Sequence, residues 1–465
     1  MEWLDRQTEL ARLERLTRRP GGGLAVVWGR RRVGKTRLLL EWAKRSAGLY
    51  FVADETAASV QRRRLAETLG ARLPGFADVE YPDWGGLLAR LARDAATAGF
   101  AGPLILDELP YLVSASPELP ATLQRFVDHD AKAARLVMAV AGSNQSMMQG
   151  LVLDAGAPLF GRAAEAFEVK PLSPAWLERG LGLRRPTDIV QAWSVWGGLP
   201  RYWELAAQFE NRRDAVHDLV LDPGGVLHDE PSRLLAEETP NPVSLRPVLD
   251  AIGSGAHKLS EIAGRIGSPA TSLARVMTRL AELGLIVRET PFGEPERSTK
   301  RALYRLADPF LRLWFSLVAP KRAALTQFGR GARLALFDAR APHLDAASWE
   351  VLCRLAVPRL PELLGGEFGA ASRYWGGSGP EWDMVASASD DRRHLLGEMK
   401  WSSTAATAGD LSGIHAQLHA KGLPPFARGD VVHALFVPTL PRRRPRALPD
   451  NVRLIDAKAV IDALR

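Results

Sequence analysis

The 465-residue chain is 46% hydrophobic and 25% charged, the proportions of a folded globular protein with apolar material for several cores. Its one cysteine, Cys353, excludes an internal disulfide framework and fits a reducing compartment. The net charge of +8 is uneven: residues 1–243 hold 30 basic and 31 acidic side chains and the remainder 31 and 22. That asymmetry turns the C-terminal half toward a polyanion, with plain solvated arginines as the alternative. The opening Met1-Glu2-Trp3-Leu4-Asp5-Arg6 has no apolar core of a secretory signal, and no apolar run approaches the roughly 18 residues of a membrane span. A cytoplasmic protein with no membrane partner is expected.

In chain order, residues 1–19 read as an amphipathic helix with Leu4, Leu10, Leu13 and Leu16 near one face, broken by Pro20-Gly21-Gly22-Gly23. Leu24 to Trp28 is predicted as a buried strand, followed by a glycine turn and a helix from about Lys35 to Ser46. Leu49–Val52, Leu104–Leu106 and Leu136–Val140 are three further strands with helical stretches between them. Such alternation implies an α/β fold with a parallel sheet covered on both faces. Residues 171–243 read as helical, 244–322 as helices followed by a hairpin, and 340–465 as mixed helix and strand ending in the strand Val452–Ile455.

Gly29-Arg30-Arg31-Arg32-Val33-Gly34-Lys35-Thr36 fits G-x-x-x-x-G-K-S/T and sits between a predicted strand and a predicted helix, the context that motif requires. Glycines let backbone N–H groups curl around phosphates, and the helix N-terminus adds positive potential. Lys35 is expected to reach the β- and γ-phosphates of ATP and Thr36 to offer its hydroxyl to Mg²⁺, with Arg37 completing the nucleotide-binding set. The strand Leu104-Ile105-Leu106 ends in Asp107-Glu108, two carboxylates at the edge of the sheet where ligands bind. Asp107 is expected to hold the metal and Glu108 to polarise the attacking water.

Several further segments occur in order: Asp5-Arg6 with Glu9-Leu10, Ala141-Gly142-Ser143-Asn144, Pro158-Leu159-Phe160-Gly161-Arg162, and Gly197-Gly198-Leu199-Pro200. Together with the P-loop they resemble the archaeal and bacterial AAA-type ATPases, related to STAND NTPases, that carry a C-terminal nuclease-like domain. The resemblance implies that Ser143 or Asn144 senses the γ-phosphate and that Pro200 packs near the base. It also implies that Arg162 is an arginine finger, acting in cis or from a neighbouring subunit.

Residues 244–322 look like a winged helix. Leu245, Val248, Leu249 and Ile252 form one apolar face, Leu259–Ile266 a second helix, and Ala270–Leu283 a third. Ser268 in the intervening turn is a candidate cap. The third helix turns Arg275 and Arg279 outward, where a helix-turn-helix meets a major groove, and the wing carries Arg297, Lys300 and Arg301. Packing against protein is the rival use of the same surface.

Near the C-terminus, Glu381-Trp382-Asp383 and Glu398-Met399-Lys400 fall on two expected strands, so that adjacent strands bring Asp383 beside Glu398 and set Lys400 on the same face. Two carboxylates suit Mg²⁺ and a lysine stabilises charge at a phosphodiester. The spacing resembles the PD-(D/E)XK nuclease core, which implies Glu350 as its upstream helical glutamate and Gln417 as a later helper. Four domains are therefore expected: a P-loop ATPase core (1–170), a helical lid (171–243), a winged helix (244–322) and a nuclease-like domain (340–465). The expected function is a Mg²⁺-dependent ATPase coupled to the binding and cutting of DNA, the alternative being an ATP-switched regulator with a silent nuclease-like domain. Homo-oligomerisation is left open.

Overall fold

The computed structural model describes residues 3–143, 145–238, 244–295, 301–376, 380–427, 429–446, 448–449 and 451–465. Asn144, Arg297 and Lys300 lie outside the described residues. The chain divides into two compact units: one is Asp5–Pro171 with Leu199–Arg201, and the other is the remainder.

The first unit is built on a five-stranded parallel sheet. Its strands are β1 (Gly23–Trp28), β2 (Leu49–Val52), β3 (Leu104–Asp107), β4 (Val137–Gly142) and β5 (Ala163–Glu168), in the spatial order β2-β3-β4-β1-β5. Leu24–Val27 and the whole of β3 and β4 are buried. That burial explains why these strands read as unbroken apolar runs rather than alternating ones. The helix after β1, Lys35–Arg45, buries Leu38, Leu39, Trp42 and Ala43, the i, i+3, i+4 spacing of one helical face. Helix Trp84–Ala98 starts at Asp83, whose carboxylate accepts the Gly86 N–H at 2.7 Å. The strand β5 was not anticipated. Its sequence Ala-Ala-Glu-Ala-Phe-Glu alternates in exposure because it is the edge of the sheet.

In the second unit, helices Arg246–Gly253 and Leu259–Ile266 precede a 3₁₀ turn Ala270–Leu273 and helix Ala274–Glu282. The strands β6 (Ile286–Glu289) and β7 (Leu303–Leu306) then form an antiparallel hairpin. Val248, Leu249, Ile262, Leu273, Met277 and Leu280 are buried between the helices. Ser268 is not an N-cap. Its N–H bonds back to Ala263 O at 3.1 Å beyond Gly267 at φ 70°, so the turn closes the preceding helix instead.

The C-terminal part of this unit carries a second five-stranded sheet: β8 (Ser372–Tyr374), β9 (Trp382–Ser387), β10 (Arg393–Met399), β11 (Asp430–Phe436) and β12 (Val452–Ile455), adjacent in that order. β8, β9 and β10 form an antiparallel meander, whereas β10, β11 and β12 run parallel. Parallel pairing requires a crossover, and helix Ala408–Ala420 supplies the one from β10 to β11. Leu411 and Leu418 on that helix pack with Val385, Leu396 and Leu435. Glu350 lies on the long helix Arg330–Ala356.

Candidate active site

The P-loop leaves the C-terminal end of β1, which lies between β4 and β5, at the sheet edge where open α/β sheets bind ligands. Gly29 has φ 147°, and a Cβ placed there would lie 2.5 Å from the carbonyl oxygen of Val169. Only glycine lets the chain pass. Gly34, at φ 97°, is the N-cap of helix Lys35–Arg45 and offers no side-chain cap. The first N–H groups of that helix therefore face the loop, the arrangement that receives a phosphate.

Lys35 is buried, with Nζ donating to the carbonyls of Gly29 at 2.7 Å and Arg30 at 3.3 Å. Val33 and Arg30 are buried, Arg31 donates to the Tyr111 hydroxyl at 2.9 Å, Arg32 takes a left-handed φ of 65°, and Arg37 is exposed on the first helical turn. A methyl group built on Gly34 would lie 3.8 Å from Cγ of Pro200, so this proline sits against the loop.

Asp107 is buried at the end of β3 and fully engaged. Oδ2 accepts from the Thr36 hydroxyl at 3.1 Å and the Tyr50 hydroxyl at 2.6 Å, while Oδ1 accepts the Glu108 N–H at 2.9 Å. Burial and then the charge of Asp107 push the Tyr50 hydroxyl well above the usual phenol range, so it remains a donor. Glu108 adopts a left-handed φ of 56°, and its Oε2 accepts from both the N–H (3.2 Å) and the hydroxyl (2.9 Å) of Ser143 at the end of β4. A hydroxyl and a buried carboxylate side by side are the donor types a hydrated Mg²⁺ takes, so the Thr36–Asp107 pair fits that ion.

Two residues near this site were missed by motif reasoning. Arg6 donates to the buried carbonyl of Val33 at 3.1 Å and to Lys170 O at 2.5 Å, and pairs with Glu9 at 3.1 Å. It therefore braces the P-loop from outside. The Asp5-Arg6…Glu9 segment was the available signal. Tyr50 had none, since a tyrosine inside an apolar strand reads as core.

Arg162 stands elsewhere. It immediately precedes β5, whose Ala163 pairs with Leu24 near the start of β1, at the end of the sheet opposite the P-loop. Its Nε donates to both Asp128 carboxylate oxygens, at 2.8 and 3.0 Å, and Nη1 donates to Pro158 O and Phe160 O. The parallel strand between, at about 3.3 Å per residue, separates Arg162 from the phosphate loop by more than an arginine's reach. Within its own chain Arg162 is held by Asp128 at that end of the sheet.

The second cluster lies on the C-terminal sheet. β9 and β10 pair Gly397 with Met384, and one further step of that register sets Glu398 opposite Asp383. Glu398 is 7% exposed, with Oε1 accepting from Lys400 Nζ at 2.6 Å and Oε2 from Lys421 Nζ at 2.7 Å. Burial opposes its ionisation, but the hydrogen bonds from Lys400 and Lys421 outweigh burial and hold Glu398 below the usual carboxylate range. Asp383 goes the other way: burial first, then the charges of Glu398 and Glu350, raise it. Lys400 is raised, the bond to Glu398 overcoming burial. Glu350 contributes its field and pairs with Arg354 at 3.6 Å, whereas Gln417 is exposed. Lys421 was missed. It lies just past the crossover helix and only the fold returns it to β10. Among the described residues no group of three or more His, Cys, Asp or Glu side chains is arranged to hold a metal ion. The donors here are two carboxylates, enough for a Mg²⁺ that keeps most of its water.

These features define a P-loop ATPase. Residues 3–205 match a family of ATPase domains found predominantly in Archaea, and residues 314–411 match a family of archaeal and bacterial proteins of unknown function. An uncharacterized protein of Methanocaldococcus jannaschii is 27% identical over 429 residues, 90% of this chain and 91% of its own. A Walker-type ATPase of Pyrococcus abyssi superposes with a TM-score of 0.53 at 20% identity, covering 67% of this chain and 96% of the other. The Aeropyrum pernix Orc1 protein, solved in complex with DNA, reaches a TM-score of 0.34 at 17% identity over 70% of this chain and 95% of its own, too low to establish a common fold. The protein is an ATPase. No helix among the described residues is long and apolar enough to cross a membrane.

Proposed function

We propose that ATP hydrolysis at the P-loop is coupled to DNA, which the helices and hairpin of 244–322 grip and the C-terminal sheet cuts. The observation that carries this reading is the second cluster: Asp383 opposite Glu398, with Lys400 two residues further along and hydrogen-bonded to it at 2.6 Å. The antiparallel meander with a helical crossover to a parallel strand supports a PD-(D/E)XK nuclease-like core. In the first unit Lys35 and the N–H groups of its helix bind the phosphates, and Thr36 with Asp107 holds Mg²⁺. Glu108 orients water, and Ser143, bonded to Glu108, reports the state of the γ-phosphate. Arg162 acts on a neighbouring subunit's nucleotide. Arg275, exposed on helix Ala274–Glu282, and half-buried Arg279, which pairs with Glu282 at 3.7 Å, make the phosphate or base contacts in this reading.

At the C-terminal sheet Asp383 and Glu398 hold Mg²⁺, which supplies charge stabilisation at a phosphodiester. Lys400 keeps its proton and neutralises charge on the phosphate. A Mg²⁺-dependent assay on plasmid and single-stranded DNA, with and without ATP, tests this. Cleavage lost in Glu398→Ala supports the nuclease, and its response to Lys35→Ala shows whether ATP gates it. The second reading is an ATP-switched regulator without cleavage. It is favoured by Lys400 and Lys421 together, which already occupy both oxygens of Glu398. DNA left intact under every condition selects that reading.

A further inference from the structure

Beside the C-terminal carboxylate cluster, positive charge accumulates between the β6–β7 hairpin, the long helix Arg330–Ala356 and β8. Arg288, Arg354 and Arg373 line a cavity of about 500 Å³ there, together with Glu289, Thr290 and Ser372. Glu289 is the one acid among the described lining residues; its Oε2 lies at ion-pair distance from Arg305 (3.2 Å) and Arg373 (3.7 Å) but makes no hydrogen bond among the described residues. Glu350 faces Arg354 at 3.6 Å. Each nearby carboxylate thus has its guanidinium, and a surplus of positive charge is left facing the cavity.

The donors are also in surplus. Arg354 is 9% exposed; its Nη1 donates to the carbonyl of Asp383 at 3.1 Å, while its Nη2 is buried with no hydrogen-bond partner among the described residues. The Nε of Arg373 is buried and unpartnered in the same sense. Behind them the crowding is severe enough to lower the basicity of Arg312 to about 10, through burial first and then the charge of Arg305. Buried charged donors without acceptors are costly, and native proteins keep them where something else supplies the acceptor.

We propose that this arginine-lined cavity binds a phosphate group. Planar guanidinium forks match the paired oxygens of a phosphate, and three of them around one opening favour an oxyanion over any neutral ligand. The cavity adjoins β9 through the bond from Arg354 to the Asp383 carbonyl. A nucleic-acid strand held by one phosphate here is therefore carried toward Asp383 and Glu398. Assigning the phosphate to a nucleic-acid backbone rests on the function proposed above; the phosphate site itself does not.

The test uses the full-length chain in a Lys35→Ala background, which removes the P-loop as a competing phosphate site. Inorganic phosphate binding is followed by calorimetry. Binding of a fluorescent 20-base-pair duplex is followed by anisotropy between 50 and 200 mM salt. Arg373→Gln is expected to weaken phosphate binding at least about tenfold and to flatten the salt dependence of duplex binding by about 0.9 in log–log slope, the loss of one backbone contact. Arg373→Lys keeps the charge but not the fork, and should fall between the two while preserving the fold. Phosphate binding that depends on Arg373, without any duplex binding, upholds the cavity with a free phosphate compound as its ligand and removes the nucleic-acid reading. Equal binding of both probes by parent and Arg373→Gln, or binding of neither by the parent, overturns the proposal.

Discussion

Replacing Arg6 by Met keeps most of the side chain's apolar length but removes three contacts at once. Val33 O loses its donor at 3.1 Å, Lys170 O loses its donor at 2.5 Å, and Glu9 loses its pairing cation. Hydrogen bonds from a charged donor contribute about 1.5–3 kcal/mol each, so the two carbonyl contacts sum to about 3–6 kcal/mol before relaxation and solvent repair. The part-buried Glu9 pair, at i, i+3, adds a smaller share in the same direction. Part of the loss falls on global stability and part on the loop, whose Val33 carbonyl belongs to the phosphate cradle. If half falls on the loop, ATP affinity drops by about ten- to a hundredfold. Fluorescent ATP-analogue titration together with thermal melting separates the two shares, and Glu9→Gln serves as the control expected to leave both nearly unchanged. Arg6→Met with ATP affinity within twofold of wild type and an unaltered melting temperature would refute the claim that Arg6 braces the loop.

Tyr50→Phe removes the hydroxyl that holds Asp107 Oδ2 at 2.6 Å, and should raise the Mg²⁺ concentration for half-maximal ATP turnover about tenfold while leaving nucleotide affinity without metal unchanged. Lys421→Met frees one oxygen of Glu398, and Mn²⁺ binding at the C-terminal sheet, read by electron paramagnetic resonance, should tighten about tenfold, the equivalent of one charge-assisted hydrogen bond that no longer competes. Arg162→Ala should lower the melting temperature only slightly, since its pair with Asp128 is part-exposed, yet reduce ATP turnover about a thousandfold if it acts in trans; unchanged turnover makes the pair structural. The raised Asp383 binds its proton more tightly folded than unfolded, so its contribution to stability is present below the unfolded pKa and lost as pH rises through the folded one. In chelator, Asp383→Asn should therefore melt higher than wild type at pH 7 and converge with it in acid; a lower melting temperature at pH 7 contradicts the assigned electrostatics.

What the chain reveals unfolded depends on how local the signal is. β2 falls at Leu49–Val52, β12 at Val452–Ile455 and the hairpin strand β6 at Ile286–Glu289, as their apolar content dictates. Central strands β1, β3 and β4 are legible because burial on both faces selects uninterrupted hydrophobic runs. The edge strand β5 is not, because its exposed positions are alanines, its half-buried ones include two glutamates, and neither type favours a strand. The P-loop is readable because all its chemistry sits within eight consecutive residues. The expectation that Asp383 lies beside Glu398 came from strand alternation, and the β9–β10 register, which runs to Gly397 opposite Met384, points the same way. Arg6, Tyr50 and Lys421 act across sequence separations of 27, 57 and 23 residues, and no periodicity encodes such contacts. For Arg162 the motif context is plain in the sequence, but its place along the sheet, beside Asp128, is not.

The coupling of the ATPase to DNA is tested most directly by steady-state ATP turnover of the full chain at low salt, with and without duplex or single-stranded DNA, in wild type and Lys35→Ala. Turnover that rises several-fold with DNA, falls back as salt displaces the DNA, and vanishes in Lys35→Ala is the predicted result. Turnover indifferent to DNA at every salt concentration, with Lys35→Ala still inactive, would contradict the coupling and leave an ATPase whose partner is something else.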